Sequence, residues 1–172
     1  DGLAYTLADW IDDDSQPQPQ GGAEDAYYLA QDPPYLTANR PMIDVAELAL
    51  VSGFDIGVRA RLRPYVTALP GFTAVNVNTA SPEVLAAVVD GLDLGTAQAL
   101  VAQRDRAYYR DRDDFSKRLP PGAAAAAENI GVSSDYFIAT LRVTIGGAQA
   151  SGKALLARSG AGWPVVLWRK YL

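Results

Sequence analysis

The stretch Trp10-Ile11-Asp12-Asp13-Asp14, with its continuation Gly21-Gly22-Ala23-Glu24-Asp25-Ala26-Tyr27-Tyr28, places five carboxylates around a Gln/Pro-rich spacer. The chain has no Lys or Arg from Asp1 to Asn39 that could neutralise them. Like charges held close together in a folded chain need either full solvation or a bound cation. The interpretation of the whole chain therefore starts from this acidic loop, residues 12–25.

The acidic loop carries oxygen ligands of the kind that calcium prefers. Calcium takes about six to eight oxygens from carboxylates, amides and backbone carbonyls. The candidate ligands are Asp12, Asp14, Glu24 and Asp25 in the loop and Asn39 further along the chain. Alternate residues such as Asp12 and Asp14 can point into one bend, but Pro17 and a missing glycine exclude an EF-hand. From the residues alone, a solvated acidic loop and a calcium site fit equally well.

The composition narrows the chemistry that the chain can perform. Its 172 residues carry a net charge of −5, which argues against a nucleic acid or an anionic membrane as the main partner. Cys and His are absent, which excludes the usual zinc sites and the Ser-His-Asp and Cys-His arrangements. Any metal must be a hard cation bound by oxygen. The length and apolar content lead us to expect one compact ectodomain.

The start of the chain carries no targeting signal. Asp1 is not preceded by Met, and neither a basic segment nor an apolar run of about 18 residues follows. We therefore expect a trimmed fragment whose anchor or signal lies upstream.

The first three quarters of the chain show helical patterns. Apolar residues at helical spacing predict a helix over 2–11, and Ser81-Pro82-Glu83 marks the clearest helix start, ahead of a stop at Asp90-Gly91. Caps and breakers predict further helices over 44–53, 55–62, 96–106 and 113–119, with a short turn or helix over 123–128.

After Gly131 the apolar period becomes two, which predicts an antiparallel meander. Alternation over 136–145 leads to a hairpin turn at Gly146-Gly147 and a second strand over 148–158. A turn over 159–162 then leads to a third strand over 163–171. The aromatic residues Trp163, Trp168 and Tyr171 are expected in core or edge packing.

Residues 75–104 resemble a helix-hairpin-helix unit, which in some proteins holds a nucleic-acid phosphate. Asp93 lies in its turn and no Lys is beside it, so a scaffold hairpin is the better interpretation. The mixed-charge run over 103–114 is expected to form a solvated face. A carboxylate hydrolase would need two acids in one cleft, and the sequence gives no argument for such a cleft.

Seven segments spread over the chain form an ordered set. They are Ala8-Asp9-Trp10-Ile11-Asp12-Asp13-Asp14, Gly22-Ala23-Glu24-Asp25-Ala26-Tyr27-Tyr28, Tyr35, Ala38-Asn39-Arg40-Pro41, Glu47-Leu48, Leu62-Arg63-Pro64-Tyr65-Val66-Thr67-Ala68-Leu69-Pro70 and Val75-Asn76-Val77-Asn78-Thr79. Together they resemble the K-type minor pseudopilin of the bacterial type II secretion system, the general secretion pathway protein K family.

The resemblance implies an α+β fold in which a pilin-like N-terminal helix packs on an antiparallel sheet. It also implies a large inserted all-helical domain of the helix-hairpin-helix or SAM-like type. We expect the pilin-like body over 1–40 and 132–172, and the insert over 41–131. The family's native N-terminus would carry a prepilin-type leader and a transmembrane helix, so the membrane anchor would be this missing N-terminal helix.

The resemblance also implies a function. The family caps the tip of the periplasmic pseudopilus together with the I-type and J-type minor pseudopilins, as a non-enzymatic part of the export of folded proteins across the outer membrane. We expect a periplasmic ectodomain of an inner-membrane-anchored bacterial protein. Whether secreted substrates contact the insert stays open. The alternative is a helix-hairpin-helix nucleic-acid-binding module.

The family binds calcium, and this moves the acidic loop toward a calcium site. The resemblance carries the Ca²⁺ site over to Asp12, Asp14, Glu24, Asp25 and Asn39.

Overall fold

The computed structural model describes residues 2–158, 160 and 162–171. The chain forms two compact units, Asp1–Phe72 (unit 1) and Thr73–Leu172 (unit 2), where the sequence led us to expect one. The expected boundaries at 40/41 and 131/132 lie inside these units. The division into a body and an insert stays a prediction. In the described part of the chain, no helix has both the length and the apolar character needed to cross a membrane.

Unit 1 is helical. It contains α1 (Gly2–Ile11), the single turn α2 (Asp25–Tyr28), a 3₁₀ helix (Val45–Ala49) and α3 (Ile56–Leu62). The sequence placed α1 correctly. It also placed the two later helices, because their caps are local: Asp44 and Glu47 form a capping box, and the Asp55 carboxylate accepts a hydrogen bond from Val58 N at 2.8 Å.

The core of unit 1 joins α1 to the residues that follow the acidic loop. Trp10 and Tyr28 meet edge to face with ring centroids 5.2 Å apart. The buried residues of this core are Trp10, Ala23, Tyr28, Leu48, Val51 and Phe54. The Tyr28 hydroxyl accepts a hydrogen bond from Ser52 N at 3.2 Å. The two ends of the acidic loop are therefore anchored in one core.

Unit 2 begins with helices around a second core. It contains β1 (Val75–Asn76), α4 (Pro82–Val88), α5 (Leu94–Arg104), α6 (Arg112–Ser116) and β2 (Ile130–Gly131). The buried residues are Val77, Leu85, Val89, Leu92, Ala97, Leu100, Tyr109, Phe115 and Ile130. Strands β1 and β2 pair in parallel, a pairing that the sequence analysis missed because each strand has only two residues.

Helix α5 begins two residues before its predicted start. Asp93, which the sequence placed in a turn, is the N-cap: its carboxylate accepts from Thr96 N at 3.0 Å.

The Ala-rich segment 123–128 is not a helix, because Ala124 instead forms a bridge with Asp90. The charged run 103–114 is less solvated than expected. The Arg104 guanidinium donates to Val77 O at 2.7 Å, and Tyr109 is fully buried.

The C-terminal part of unit 2 is the predicted antiparallel meander. Strands β3 (Tyr136–Ile145), β4 (Ala148–Ala157) and β5 (Val165–Tyr171) lie in this order, with Gly146-Gly147 as the hairpin turn. The expected packing of Trp163 and Tyr171 is wrong, since both are more than nine-tenths exposed. Ser159 and Ala161 of the predicted turn lie outside the described residues. The fold thus mixes helices with an antiparallel sheet.

Candidate metal centre

Three carboxylates from the two ends of the acidic loop lie together. Asp12 and Asp14 follow the last residue of α1, and Glu24 immediately precedes α2. Each offers one oxygen, and these three atoms lie within 4.8 Å of one another. The structure therefore brings together three of the five residues that the sequence nominated.

Glu24 is the buried member of this group. It is 5 % exposed, and neither of its carboxylate oxygens has a hydrogen-bond partner. Although Glu24 occupies the N-cap position of α2, its side chain makes no capping hydrogen bond. A buried ionised carboxylate without a partner is costly, so this side chain is placed as a ligand would be.

Asp12 and Asp14 supply oxygens from the other end of the loop. Asp12 Oδ1 is also buried without a hydrogen-bond partner. Asp14 Oδ1 accepts a hydrogen bond from Gln16 N at 2.8 Å, which fixes the turn that follows α1. The backbone itself holds Asp12 in place, since Asp12 N donates to Ala8 O at 2.9 Å and extends the helix by one residue.

The electrostatics of the group favour a bound cation. Burial raises the pKa of Glu24, and the negative charges of Asp9, Asp12, Asp14 and Asp25 raise it further. Burial, followed by the charges of Asp14, Asp9 and Asp13, likewise raises the pKa of Asp12. The ionised forms of Glu24 and Asp12 thus carry a free-energy penalty, which a divalent cation among them would reduce.

The other two nominated residues differ from this group. Asp25 Oδ1 accepts hydrogen bonds from Thr37 Oγ1 at 2.6 Å and from Thr37 N at 3.0 Å. These hydrogen bonds lower the pKa of Asp25, so it has a partner within the protein. Asn39 has a φ of 44°, in the left-handed region that few non-glycine residues adopt, and its Oδ1 atom is buried without a hydrogen-bond partner.

The donor set fits a hard cation. The available atoms are carboxylate and amide oxygens with unused lone pairs, which calcium accepts in variable number and geometry. Neither His nor Cys occurs in the sequence, so a softer metal would lack its preferred ligands. Three clustered carboxylates, completed by other protein oxygens or by water, would suit a hard cation such as Ca²⁺.

Sequence reasoning missed Asp9, which lies one helical turn before Asp12. Asp9 is fully buried, and its two oxygens lie 3.3 and 3.2 Å from the backbone nitrogen of Gln18, which donates to them. The signal was present in the sequence, since residues three apart lie on one face of a helix. No residue pattern in the sequence, however, indicated that the loop returns to cover this face.

The turn between α4 and α5 does not have the features of a phosphate-binding hairpin. Asp93 lies in it, and its carboxylate is taken by the backbone N–H and the hydroxyl of Thr96, with the hydroxyl at 2.6 Å. These hydrogen bonds lower the pKa of Asp93 and keep it ionised. A negative charge at this place repels a nucleic-acid backbone.

Two family models match the chain. Both describe the type II secretion system (T2SS), protein K, one over residues 1–71 and the other over residues 75–133. Only residues 72–74 and 134–172 lie outside the two matches. The chain belongs to the protein K family of the type II secretion system.

Relatives within the protein K family include type II secretion system protein K from Pseudomonas aeruginosa, 42 % identical over 146 residues. The protein K from Klebsiella pneumoniae is 39 % identical over 175 residues. These alignments cover 84 % and 95 % of this chain, but 43 % and 52 % of the relatives. The chain thus spans about half the length of the curated relatives it matches.

A solved structure of a protein K assembly has a similar fold. It is the crystal structure of the GspK-GspI-GspJ complex from the enterotoxigenic Escherichia coli type 2 secretion system. The match has a TM-score of 0.82 at 29 % identity and covers 98 % of this chain and 62 % of the matched chain.

Proposed function

We propose that this chain is part of a minor pseudopilin at the tip of the type II secretion pseudopilus. In this role it is a structural component for the export of folded proteins across the outer membrane, with no catalytic step of its own. Membership of the protein K family, together with the TM-score of 0.82 to a chain of the GspK-GspI-GspJ complex, carries this proposal. The location that goes with it is the periplasmic side of the inner membrane.

The partners in this proposal are the I-type and J-type minor pseudopilins. The matched crystal structure supports them, because its protein K homologue is bound to GspI and GspJ. The comparisons give no support to the alternative of a nucleic-acid-binding module. The acidic turn at Asp93 and the net charge of −5 also oppose that alternative.

Co-purification tests this assignment. Tagged I-type and J-type pseudopilins of the same secretion system are expected to retain this chain in calcium-containing buffer and to elute with it in one peak of size-exclusion chromatography. A major pseudopilin ectodomain is the matched control for non-specific binding. Failure to associate with either partner would contradict the proposal.

We also propose a Ca²⁺ site built from Asp12, Asp14 and Glu24, with Asn39 as a fourth ligand and Asp25 as a charged neighbour. One observation carries it: a buried carboxylate, Glu24, has two unpartnered oxygens beside two other acids. A divalent ion there would bind the end of α1 to the start of α2. Its binding to the folded state alone would stabilise unit 1 by mass action.

Thermal melting in calcium, in magnesium and in chelator tests the site. Calcium is expected to raise the melting temperature, and the smaller Mg²⁺ to do so less, because it demands rigid octahedral geometry. Asp12→Asn and Glu24→Gln are expected to reduce the calcium response. Asp13→Asn removes the same charge from an exposed neighbour and is the control. Identical melts in all three conditions would remove the site.

The finer fold is part of the same proposal. We propose a pilin-like body over 1–40 and 132–172, with the helices of 41–131 as an inserted domain of the helix-hairpin-helix or SAM-like type. The similarity to the matched GspK chain and the meander that follows all the helices support a pilin-like sheet. An experimental structure of the longer protein tests it, and a helical domain with other boundaries would contradict it.

A further inference from the structure

The acidic loop is closed by a partly buried contact that involves none of the three clustered acids. Gln18, in the middle of the loop, donates its backbone N–H to both oxygens of the Asp9 carboxylate on α1. The Gln18 carbonyl in turn accepts from Gly22 N at 2.9 Å and from Gly21 N at 3.2 Å. We call this arrangement of Asp9, Gln18 and Gly22 the clasp.

Glycine is the only residue type that fits at position 22 of the clasp. A Cβ atom at this position would collide with Asp9 Oδ2 and the backbone nitrogen of Gln18, and it would lie 2.9 Å from Asp9 Cγ. The Asp9 carboxylate and the Gln18 backbone are hydrogen-bonded to each other, so neither can move aside without a cost in free energy. Any side chain at position 22 would therefore push the loop away from α1.

The clasp lies next to the clustered acids on both arms of the loop. Asp9 is one helical turn before Asp12, and Gly22 is two residues before Glu24. Asp9 is fully buried, and Glu24 is 95 % buried with both oxygens unpartnered. Asp12 and Asp14 precede the Gln/Pro-rich spacer, and Glu24 follows it. Closure of the clasp folds the chain back on itself and thus brings Glu24 close to Asp12 and Asp14.

We propose that Asp9 is a positioning residue for the cation site, acting through Gln18 N, and that Gly22 allows the loop to close. The inference rests on the proposed Ca²⁺ site. Asp9 does not coordinate the cation; it holds the two arms at the spacing that the cation needs. Partners that orient ligands in this way typically change metal affinity by about 10–100-fold when removed.

Calorimetric titration of the full chain with CaCl₂ tests the proposal. Asp9→Ala and Gly22→Ala are each expected to weaken calcium binding by about 10–100-fold. Asp9→Asn keeps a hydrogen-bond acceptor for Gln18 N and removes only the charge. This variant is therefore expected to bind calcium far more tightly than Asp9→Ala. Gly71→Ala is the matched control, because a Cβ there would meet nothing within 4 Å, and it is expected to bind like the wild type.

A second measurement follows the clasp without calcium. Hydrogen exchange of the Gln18 amide in chelator is expected to be slow in the wild type and in Gly71→Ala, and fast in Asp9→Ala and Gly22→Ala. Far-UV circular dichroism checks that each variant is folded. If Asp9→Ala does not fold, the comparison of Gly22→Ala with Asp9→Asn still decides the matter.

The outcomes separate this inference from the proposed site. If the wild type binds no calcium, the site and the inference fail together. If the wild type binds and Gly22→Ala binds equally well, only the inference fails. Equal losses in Asp9→Asn and Asp9→Ala would show that Asp9 acts through its charge or as a ligand, which also overturns a positioning role.

Discussion

One acidic cluster in unit 1 and one in unit 2 differ in whether their carboxylates have hydrogen-bond partners. In unit 2 two carboxylates of residues 111–114 have partners: Asp111 accepts from Asp114 N at 2.7 Å, and Asp114 accepts from two guanidinium nitrogens of Arg118 at 2.8–3.1 Å. The Arg110 backbone N–H and the Arg118 side chain lower the pKa of Asp114. In unit 1 the two oxygens of Glu24 have no partner, and the pKa of Glu24 is raised.

The difference teaches that the number of acids does not reveal their role. Residues 110–114 contain three Asp, the same number as residues 12–14, but the first run includes arginines and begins a helix whose free N–H groups donate hydrogen bonds to carboxylates. The second run follows the end of α1, where carbonyl groups rather than N–H groups are free. Asp12 Oδ1 and both oxygens of Glu24 have no donor, and this is the basis of the proposed cation site. Four predictions test whether unit 1 depends on a cation and unit 2 on its own packing.

The largest effect is expected in the core of unit 2. Phe115 is fully buried and meets Tyr109 edge to face at a centroid distance of 4.9 Å. Phe115→Ala should cost about 3–5 kcal/mol, through lost apolar contact and the cavity left behind. Denaturant unfolding should show the same loss in calcium and in chelator. Phe72→Ala, at a position 77 % exposed, should change stability by less than about 0.5 kcal/mol. A loss of stability that differs between calcium and chelator would contradict the expectation that unit 2 depends on its own packing.

The next effect is expected from calcium itself. At a free concentration about 100-fold above its dissociation constant, Ca²⁺ should stabilise the folded state by about 2.7 kcal/mol. For a chain of this size, that is a rise of about 5–11 °C in melting temperature. Hydrogen exchange followed by mass spectrometry should place the added protection in residues 9–39. Protection confined to peptides of unit 2 would be the opposite result.

A smaller effect with a defined sign is expected from pH. In calcium-free protein the raised pKa of Glu24 means that the folded state binds its proton more tightly than the unfolded state. The stabilisation that comes from this proton is complete below pH 4.5, the ordinary pKa of a Glu side chain. It is lost as the pH rises through the pKa of Glu24 in the folded state. In chelator at neutral pH, Glu24→Gln should therefore melt above the wild type, and the gap should close as pH falls toward 4.5.

Calcium should reverse that order, because the variant cannot supply a charged ligand. Differential scanning fluorimetry over this pH range measures both effects. A glutamine variant that melts below the wild type in chelator would show that the Glu24 carboxylate has a protein partner after all.

The smallest effect is expected from a helix cap in unit 2. Ser81 Oγ accepts a hydrogen bond from Val84 N at 3.3 Å at the start of α4. Ser81→Ala should cost about 1 kcal/mol, or about 2–4 °C in melting temperature, equally in calcium and in chelator. Ser81→Asp retains a capping oxygen and should recover most of the loss. If Asp recovers nothing, the Ser81 hydroxyl is not the source of the stabilisation.

Much of the fold could be predicted because its signals are local. Asp55 caps α3 and Ser81 caps α4 with bonds that reach three residues along the chain, and Gly146-Gly147 turns the β3–β4 hairpin. The parallel pairing of Val75 with Ile130 could not be predicted in this way, because two-residue strands leave no periodic pattern. The burial of Tyr109 could not be predicted either, because it lies within a run of mixed charges that predicts a solvated face.

The candidate site was only partly predictable. The sequence supplied the residue types and nominated five residues, of which the structure places Asp12, Asp14 and Glu24 close together. It could not separate them from Asp25, whose partner Thr37 is twelve residues away. It also could not find Asp9, because burial of that carboxylate depends on the path of the loop.

The sequence by itself determined most of the helices, the three strands of the C-terminal meander, and that any metal here must be bound by oxygen. These properties depend on residue chemistry and on bonds between near neighbours in the chain. Only the tertiary structure decided which carboxylates lose their partners and which gain them. A carboxylate loses its partners where a loop that folds back buries it, and it gains one where a free N–H group comes within hydrogen-bond distance. Both situations arise only when segments that are distant in the sequence come into contact.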